Sequence, residues 1–115
     1  KAKPVVVVES PMSVAKAVSL GIGNVVATFG AKVTDHQLDI LKDFPAVTVW
    51  FDADFAGRAG ERRIVTELYR HTSVAAVIPE VNRDLGDYTE SDEVKHTLAG
   101  AVPATIALAE YLRRR

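Results

Sequence analysis

The stretch Val5-Val6-Val7-Val8-Glu9-Ser10-Pro11 joins a continuous apolar run to a helix start. Four β-branched residues without polar alternation are typical of a strand that is covered on both faces, as in a parallel sheet. Ser10 and Pro11 supply an N-cap and a first helical residue, so a helix is expected from Pro11 to about Leu20. The stretch therefore predicts a βα unit with Glu9 at the turn between strand and helix.

The same alternation of strand and helix recurs along the chain. Further strands are expected at 24–29, 47–51 and 74–78, and further helices at 34–41, 57–70, 91–98 and 103–112. Thr34 and Gln37 have the spacing of a capping box at the second helix. Four βα units in series predict an α/β fold, a Rossmann-like open sheet of about four parallel strands with helices on both faces.

Composition excludes several classes of protein. The 115 residues, 48% of them hydrophobic, are enough for one domain with a single core. Because the chain has no cysteine, disulfides, iron–sulfur clusters and cysteine-bound zinc are excluded. No apolar run approaches the roughly 18 residues of a membrane span, and the run after Lys1-Ala2-Lys3 is too short for a signal peptide. A cytoplasmic protein without membrane segments is expected.

The charge balance and the chain ends limit what composition predicts. A formal net charge of -1 gives no overall attraction for a polyanion, so nucleic-acid binding would depend on local basic groups or on metal. The chain lacks an initiator Met and ends on Arg113-Arg114-Arg115. We therefore expect residues 1–115 to be a single domain taken from a longer protein.

Acidic residues directly follow two of the predicted strands. Glu9 ends the first strand, and Asp52 and Asp54 follow the third. Ligands of open parallel sheets bind outside the carboxyl ends of the strands, so these carboxylates converge if the two strands are neighbours. Like charges packed closely favour a bound cation, and oxygen ligands suit Mg²⁺ or Mn²⁺. The alternative is that this Asp-x-Asp pattern is a solvated turn or a helix cap.

A further acidic pair lies in the polar stretch after the fourth strand. Asp84 and Asp87 reach the same edge of the sheet if the strands are parallel, where they could complete a second metal site. An ordinary turn with helix-capping acids is the alternative.

These features resemble the Toprim domain, the catalytic module shared by bacterial and phage primases, topoisomerases and certain nucleases. The resemblance covers about residues 5–88. It rests on Val5-Val6-Val7-Val8-Glu9, a strand ending in an acid, and on Trp50-Phe51-Asp52-Ala53-Asp54, a later strand ending in Asp-x-Asp. Ala56-Gly57-Arg58 and Phe29-Gly30-Ala31 are similar to the primase branch, of the DnaG-like type. Ser13 stands where primases often carry another acid, which leaves the number of bound metals open.

The resemblance implies the catalytic domain of a DNA primase, part of a larger primase or primase-helicase. Such a domain synthesises RNA primers on single-stranded DNA from nucleoside triphosphates by Mg²⁺-dependent nucleotidyl transfer, with Mn²⁺ able to substitute. A replicative helicase is a further candidate partner.

The resemblance also implies roles for individual residues. Asp52 and Asp54 would ligate the metal, and Glu9 would ligate it or act as the base for the attacking 3′-hydroxyl. The full implied metal set is Glu9, Asp52, Asp54, Asp84 and Asp87. Candidates for contacts with phosphates or template are Lys32, Arg58 and Arg62, with plain surface charges as the alternative.

Three other functions are alternatives to the primase interpretation. A Toprim-type nuclease would employ the same acids. A phospho-accepting receiver domain has a similar length and sheet, with an acceptor Asp near the position of Asp54. It needs two adjacent acids after the first strand, whereas here Ser10 and Pro11 follow Glu9. A binding-only module would need no acid cluster.

Overall fold

A computed structural model describes residues 3–30, 32–78 and 85–113 of the chain. The elements in chain order are β1 (Val5–Val8), α1 (Pro11–Ser19), β2 (Val25–Ala27), α2 (Asp35–Leu41), β3 (Ala46–Val49), α3 (Phe55–Leu68), β4 (Ser73–Ala76), a 3₁₀ turn (Leu85–Asp87), α4 (Ser91–Ala99), β5 (Val102–Pro103) and α5 (Ala104–Arg113). None of these helices combines the length and the apolar content that crossing a bilayer requires.

The strands of the described residues form one sheet in the order β2-β1-β3-β4-β5. The first four strands are parallel, and β5 runs antiparallel to β4. The expected open α/β sheet is confirmed, with one short antiparallel edge strand added. Because β2 and β3 lie on opposite sides of β1, the sheet reverses its winding direction between β1 and β3. Such a switch point is where an open α/β sheet forms a crevice for ligands.

The sequence prediction was wrong at Pro103, which was expected to begin the last helix. Pro103 lies in β5 opposite Ala75, and α5 begins one residue later, at Ala104. Proline cannot donate a hydrogen bond to a strand ladder, so it is tolerated in a sheet at an edge position such as this one. A strand of two residues is too short for a periodic pattern, so no sequence signal could predict it.

Local side-chain hydrogen bonds define the helix starts. Ser10 caps α1, in which Pro11 is the first helical residue, as predicted. Thr34 and Gln37 form the predicted capping box at the start of α2, with each side chain bonded to the backbone of the other residue. The third helix differs from the prediction, since it begins at Phe55 rather than at residue 57.

Both faces of the sheet are covered, which explains the continuous apolar run of β1. Val5 and Val7 belong to a core shared with α2, α3 and α5, whereas Val8 belongs to a second core shared with α1, α4 and the 3₁₀ turn. Trp50 lies in the second core, where its ring meets the ring of Tyr88 edge-on with centroids 5.3 Å apart. The two cores hold the carboxyl ends of β1 and β3 in a fixed position.

Glu61 on α3 is a buried carboxyl group at the contact between α3 and α5. Only 1% of its surface is exposed, and the Tyr111 hydroxyl on α5 donates a hydrogen bond to Glu61 Oε2 at 2.5 Å. Burial raises the pKa of Glu61, while the Tyr111 hydrogen bond and the charge of Arg58 oppose this shift. Burial and the hydrogen bond to Glu61 also raise the pKa of Tyr111. The tyrosine therefore stays protonated as the donor that joins the two helices.

We predict that Glu61→Gln gains stability relative to the wild type as the pH rises above 4.5, the ordinary pKa of this group. Because folding raises this pKa, the contribution of protonated Glu61 is complete below the unfolded-state value and is lost as the pH rises through the folded-state value. Glutamine keeps an oxygen acceptor for Tyr111 and cannot ionise. Denaturant unfolding from about pH 4 to about pH 8 measures the difference in free energy of unfolding.

The exposed acid Glu67 lies on the same helix, so Glu67→Gln is the matched control for removing one carboxylate. A difference between Glu61→Gln and the wild type that stays constant over this pH range would contradict the prediction.

Candidate functional site

The acidic residues singled out in the sequence follow two neighbouring strands. Glu9 comes directly after β1, and Asp52 and Asp54 come shortly after β3. The two strands pair in parallel, and the ladder continues beyond them through the Trp50 N–H, which donates to the Val7 carbonyl at 2.9 Å. β1 and β3 are therefore neighbours, as the predicted metal site requires, and both carboxyl ends lie at the switch point of the sheet.

A short hydrogen bond joins the two acidic segments, which are Glu9 after β1 and residues 52–54 after β3. Glu9 Oε1 accepts the backbone N–H of Asp52 at 2.6 Å, and both residues are half-buried. A hydrogen bond to a charged acceptor is about twice as strong as one between neutral groups. It holds the Glu9 carboxylate, which follows β1, against the backbone of Asp52, which follows β3.

Asp54 is the N-cap of α3. Its Oδ1 accepts the backbone N–H of Gly57 at 2.6 Å, and this cap explains why α3 begins at Phe55. The helix-cap alternative for the Asp-x-Asp pattern is therefore correct as far as Asp54 is concerned. Asp54 is nevertheless exposed to solvent, so a capping role leaves its carboxylate accessible to a cation.

Gly57 is a residue of this site whose role the sequence prediction missed. It is buried in the first turn of α3, and a Cβ there would overlap the backbone carbonyl of Asp52 and lie 2.9 Å from Glu9 Oε1. Only glycine lets the helix close over the hydrogen bond between the acidic segments. The available signal was a glycine, which is a poor helix former, in the first helical turn after the acids.

The other predicted acids and Lys32 lie in different elements. Lys32 is exposed in the loop between β2 and α2, and Asp87 is exposed at the end of the 3₁₀ turn. Asp84 lies outside the described residues. The assignment of Asp84 and Asp87 to a second metal therefore stays a prediction.

Arg58 and Arg62 lie one turn apart on α3, the helix that begins at the acids. Arg58 is half-buried and Arg62 is exposed. The guanidinium carbon of Arg62 lies over the ring of Tyr111, 5.7 Å from its centroid. The helix thus places two positive charges beyond the acidic edge, the edge of the sheet at which Glu9, Asp52 and Asp54 lie.

The chemistry of the donors fits a hard divalent cation. Glu9, Asp52 and Asp54 offer carboxylate oxygens, which Mg²⁺ and Mn²⁺ prefer. Among residues 3–30, 32–78 and 85–113, no three His, Cys, Asp or Glu side chains are grouped closely enough to hold a metal by themselves. A cation at this edge would therefore take further oxygens from water or substrate, as Mg²⁺ usually does.

A cleft of about 530 Å³ borders Asp52 on the side of α1. Its lining includes Ser10, Ser13 and Lys16, and the Ser10 hydroxyl donates a hydrogen bond to Ser13 Oγ at 3.2 Å. Ser13, the position at which an acid was expected from the resemblance, is thus a neutral group in the same cleft as Asp52. It cannot supply the negative charge of a carboxylate ligand.

A model of the Toprim-like family matches residues 6–89. The chain belongs to the Toprim-like family. The matched range includes both acidic segments, and the resemblance stated for the sequence is confirmed. Receiver domains share the strand order of this sheet, so the family match is what favours Toprim over the signalling alternative.

Solved primase structures share the fold. The zinc-binding and RNA polymerase domains of the Aquifex aeolicus primase match with a TM-score of 0.81 and 23% identity, over 97% of this chain and 29% of that one. The catalytic domain of DnaG primase bound to single-stranded DNA matches with a TM-score of 0.83 and 21% identity, over 97% of this chain and 38% of that one. The chain thus spans about a third of these primase chains.

A small Toprim domain protein from Bacillus stearothermophilus has nearly the same extent. It matches with a TM-score of 0.59 and 19% identity, over 94% of this chain and 97% of its own length. No curated protein matches the sequence significantly. At these identities the structural likeness establishes the fold.

We predict that Gly57→Ala destabilises the protein although alanine is the better helix former. The added methyl group would overlap the Asp52 carbonyl and press on the Glu9 carboxylate. Overpacking costs about 1–3 kcal/mol, and a backbone carbonyl cannot rotate away as a side chain can. We therefore expect a cost near the upper end of this range, larger than the gain of about 1 kcal/mol in helix propensity. Denaturant unfolding measures the net loss, and the amide resonance of Asp52 reports its hydrogen bond to Glu9.

Gly23→Ala is the matched control, because a methyl group at that position meets nothing within 4 Å. The Asp52 resonance should move in Gly57→Ala and stay in place in Gly23→Ala. If Gly57→Ala were as stable as the wild type or more so, the close packing of α3 on the acidic segments would be wrong.

Proposed function

We propose that this chain is the Mg²⁺-dependent nucleotidyl-transfer domain of a DNA primase, which synthesises RNA primers on single-stranded DNA. The observation that carries the proposal is the hydrogen bond between Glu9 and the Asp52 backbone, at the switch point of a Toprim-like sheet. Two facts add support: Toprim domains generally bind divalent metals, and primase catalytic cores share this fold.

The proposed reaction joins a nucleotide to a 3′-hydroxyl group. The hydroxyl oxygen bonds to the α-phosphorus of a nucleoside triphosphate, the bond from that phosphorus to the bridging oxygen breaks, and pyrophosphate leaves. A bound Mg²⁺, for which Mn²⁺ can substitute, would align the triphosphate and neutralise its charge. Asp52 and Asp54 would hold the cation. Glu9 would either accept the hydroxyl proton or join them as a ligand, in which case the proton passes to water. Either role of Glu9 requires a fixed orientation, which the Asp52 N–H provides.

Charged residues around the acids would complete the site. The net charge of -1 gives no long-range attraction for a polyanion, so phosphates must be bound locally. We assign this binding to Arg58 and Arg62 on α3 and to Lys32 in the loop after β2. Asp84 and Asp87 would hold a second cation. The partners are single-stranded DNA, nucleoside triphosphates and a replicative helicase.

We predict that Glu9→Gln and Asp54→Asn abolish primer synthesis without unfolding the protein. Glutamine can still accept the Asp52 N–H, and asparagine caps a helix about as well as aspartate, but each substitution removes a negative charge. Incorporation should fall at least about 100-fold, while the midpoints of thermal unfolding stay close to the wild-type value. Asp92→Asn, at an exposed acid on α4, is the control.

The assay measures incorporation of a labelled ribonucleotide on a single-stranded template with Mg²⁺ or Mn²⁺, using the protein in its longest natural form. Cleavage of an end-labelled strand is followed in the same reactions. Incorporation that survives both substitutions would contradict the assigned roles. Cleavage without incorporation would instead identify a Toprim-type nuclease, which would use the same acids.

A further inference from the structure

Phe55 is the most exposed large apolar side chain of the described residues, with 91% of its surface accessible. It is the first residue of α3 and directly follows the Asp54 cap. The ring therefore lies at the acidic edge of the sheet and packs in neither of the two cores.

Phe55 forms one end of a cleft along α3. Phe55, Arg58, Ala59 and Arg62 are spaced three, four and seven residues from the first, so they share one face of the helix. Together with Tyr111 of α5 they line a cleft of about 390 Å³. This face presents an aromatic ring next to the acids and two guanidinium groups beyond it.

Contacts within the protein hold the Arg62 guanidinium group in place. Arg62 rests on the ring of Tyr111, and the hydroxyl of that tyrosine is bonded to Glu61. Arg58 is half-buried on the same helix. Glu61 is only 1% exposed, and the residues that line the cleft include no acid. The cleft therefore offers positive charge to solvent without a competing carboxylate in its lining.

We propose that this cleft binds a single-stranded nucleic acid, with one unpaired base stacked on Phe55 and the adjoining phosphates bound by Arg58 and Arg62. The inference rests on the proposed function and adds to it a path for the strand from the acids along α3. Aromatic side chains stack on any base, since every base has a π face. The two arginines are about 6 Å apart along the helix axis, a spacing similar to that of successive phosphates in an extended strand.

The charge of the cleft favours a nucleic acid over a polypeptide as its occupant. An apolar peptide segment covering Phe55 would also remove water from Arg58 and Arg62 and would supply no anion in exchange, which makes their desolvation costly. A single strand supplies a flat ring for the phenylalanine and a phosphate for each arginine. Its chemistry therefore matches both components of the lining.

The test is the affinity for a labelled single-stranded oligonucleotide, measured by fluorescence anisotropy in EDTA. Phe55→Ala should weaken binding about tenfold, whereas Phe55→Trp should bind at least as well as the wild type. Phe29→Ala is the matched control, because Phe29 is 78% exposed in the turn after β2 and is not among the residues that line this cleft. Thermal unfolding verifies that each variant is folded.

Two further measurements separate stacking from charge. A strand of the same length without bases should bind the wild type and Phe55→Ala equally, because nothing can stack on the ring. Arg62→Gln should reduce the slope of log affinity against log salt concentration by about 0.7, whereas Phe55→Ala should leave this slope unchanged.

Four outcomes would overturn the proposal: no binding by the wild-type chain, unchanged binding by Phe55→Ala, an equal loss in Phe29→Ala, or a loss that persists on the strand without bases. The binding assay contains neither metal nor nucleoside triphosphate, so its failure would leave the proposed catalysis standing. Conversely, full incorporation by Glu9→Gln and Asp54→Asn would contradict the proposed catalytic roles, whatever the affinity of Phe55→Ala for the strand.

Discussion

The hydrogen bond from the Asp52 N–H to Glu9 Oε1 is the contact on which the rest of the site depends. It requires β1 and β3 to be neighbours, and the reversal of the sheet at this point provides that. It also requires α3 to pass closely over both segments, which the missing side chain of Gly57 allows. The carboxylate is half-buried and held by a backbone donor, so its position is set by the fold rather than by a flexible side chain.

Asp54 shows that one residue can serve the helix and the site together. Its carboxylate satisfies the Gly57 N–H at the start of α3, so the charge is fixed at the helix N-terminus. The positive end of the helix dipole lies at the same edge and favours negative charge there. A divalent cation would stabilise the carboxylates further. Structural capping and metal binding therefore both favour aspartate at this position. Asp54→Asn distinguishes the two roles, because asparagine can cap the helix but carries no charge.

The sequence predicted most of the fold because the deciding signals are local. The apolar run Val5–Val8 and the capping box at Thr34 need only neighbouring residues to be recognised. Val102–Pro103 was missed because its strand character comes entirely from pairing with β4. The role of Gly57 was missed because it depends on a contact between elements distant in sequence. The Asp-x-Asp pattern of Asp54 suits a cap and a metal ligand equally, so no local signal could decide between them.

The central claim is that the ends of β1 and β3 together hold a divalent cation, and paramagnetic line broadening tests it most directly. Mn²⁺ added in small steps to isotope-labelled protein should first broaden the amide resonances of Glu9, Asp52 and Asp54, and excess Mg²⁺ should restore them. The exposed acids Asp39 on α2 and Asp92 on α4 are internal references. Broadening that begins at these references, or that spreads over all exposed acids at once, would contradict a metal centre at the switch point.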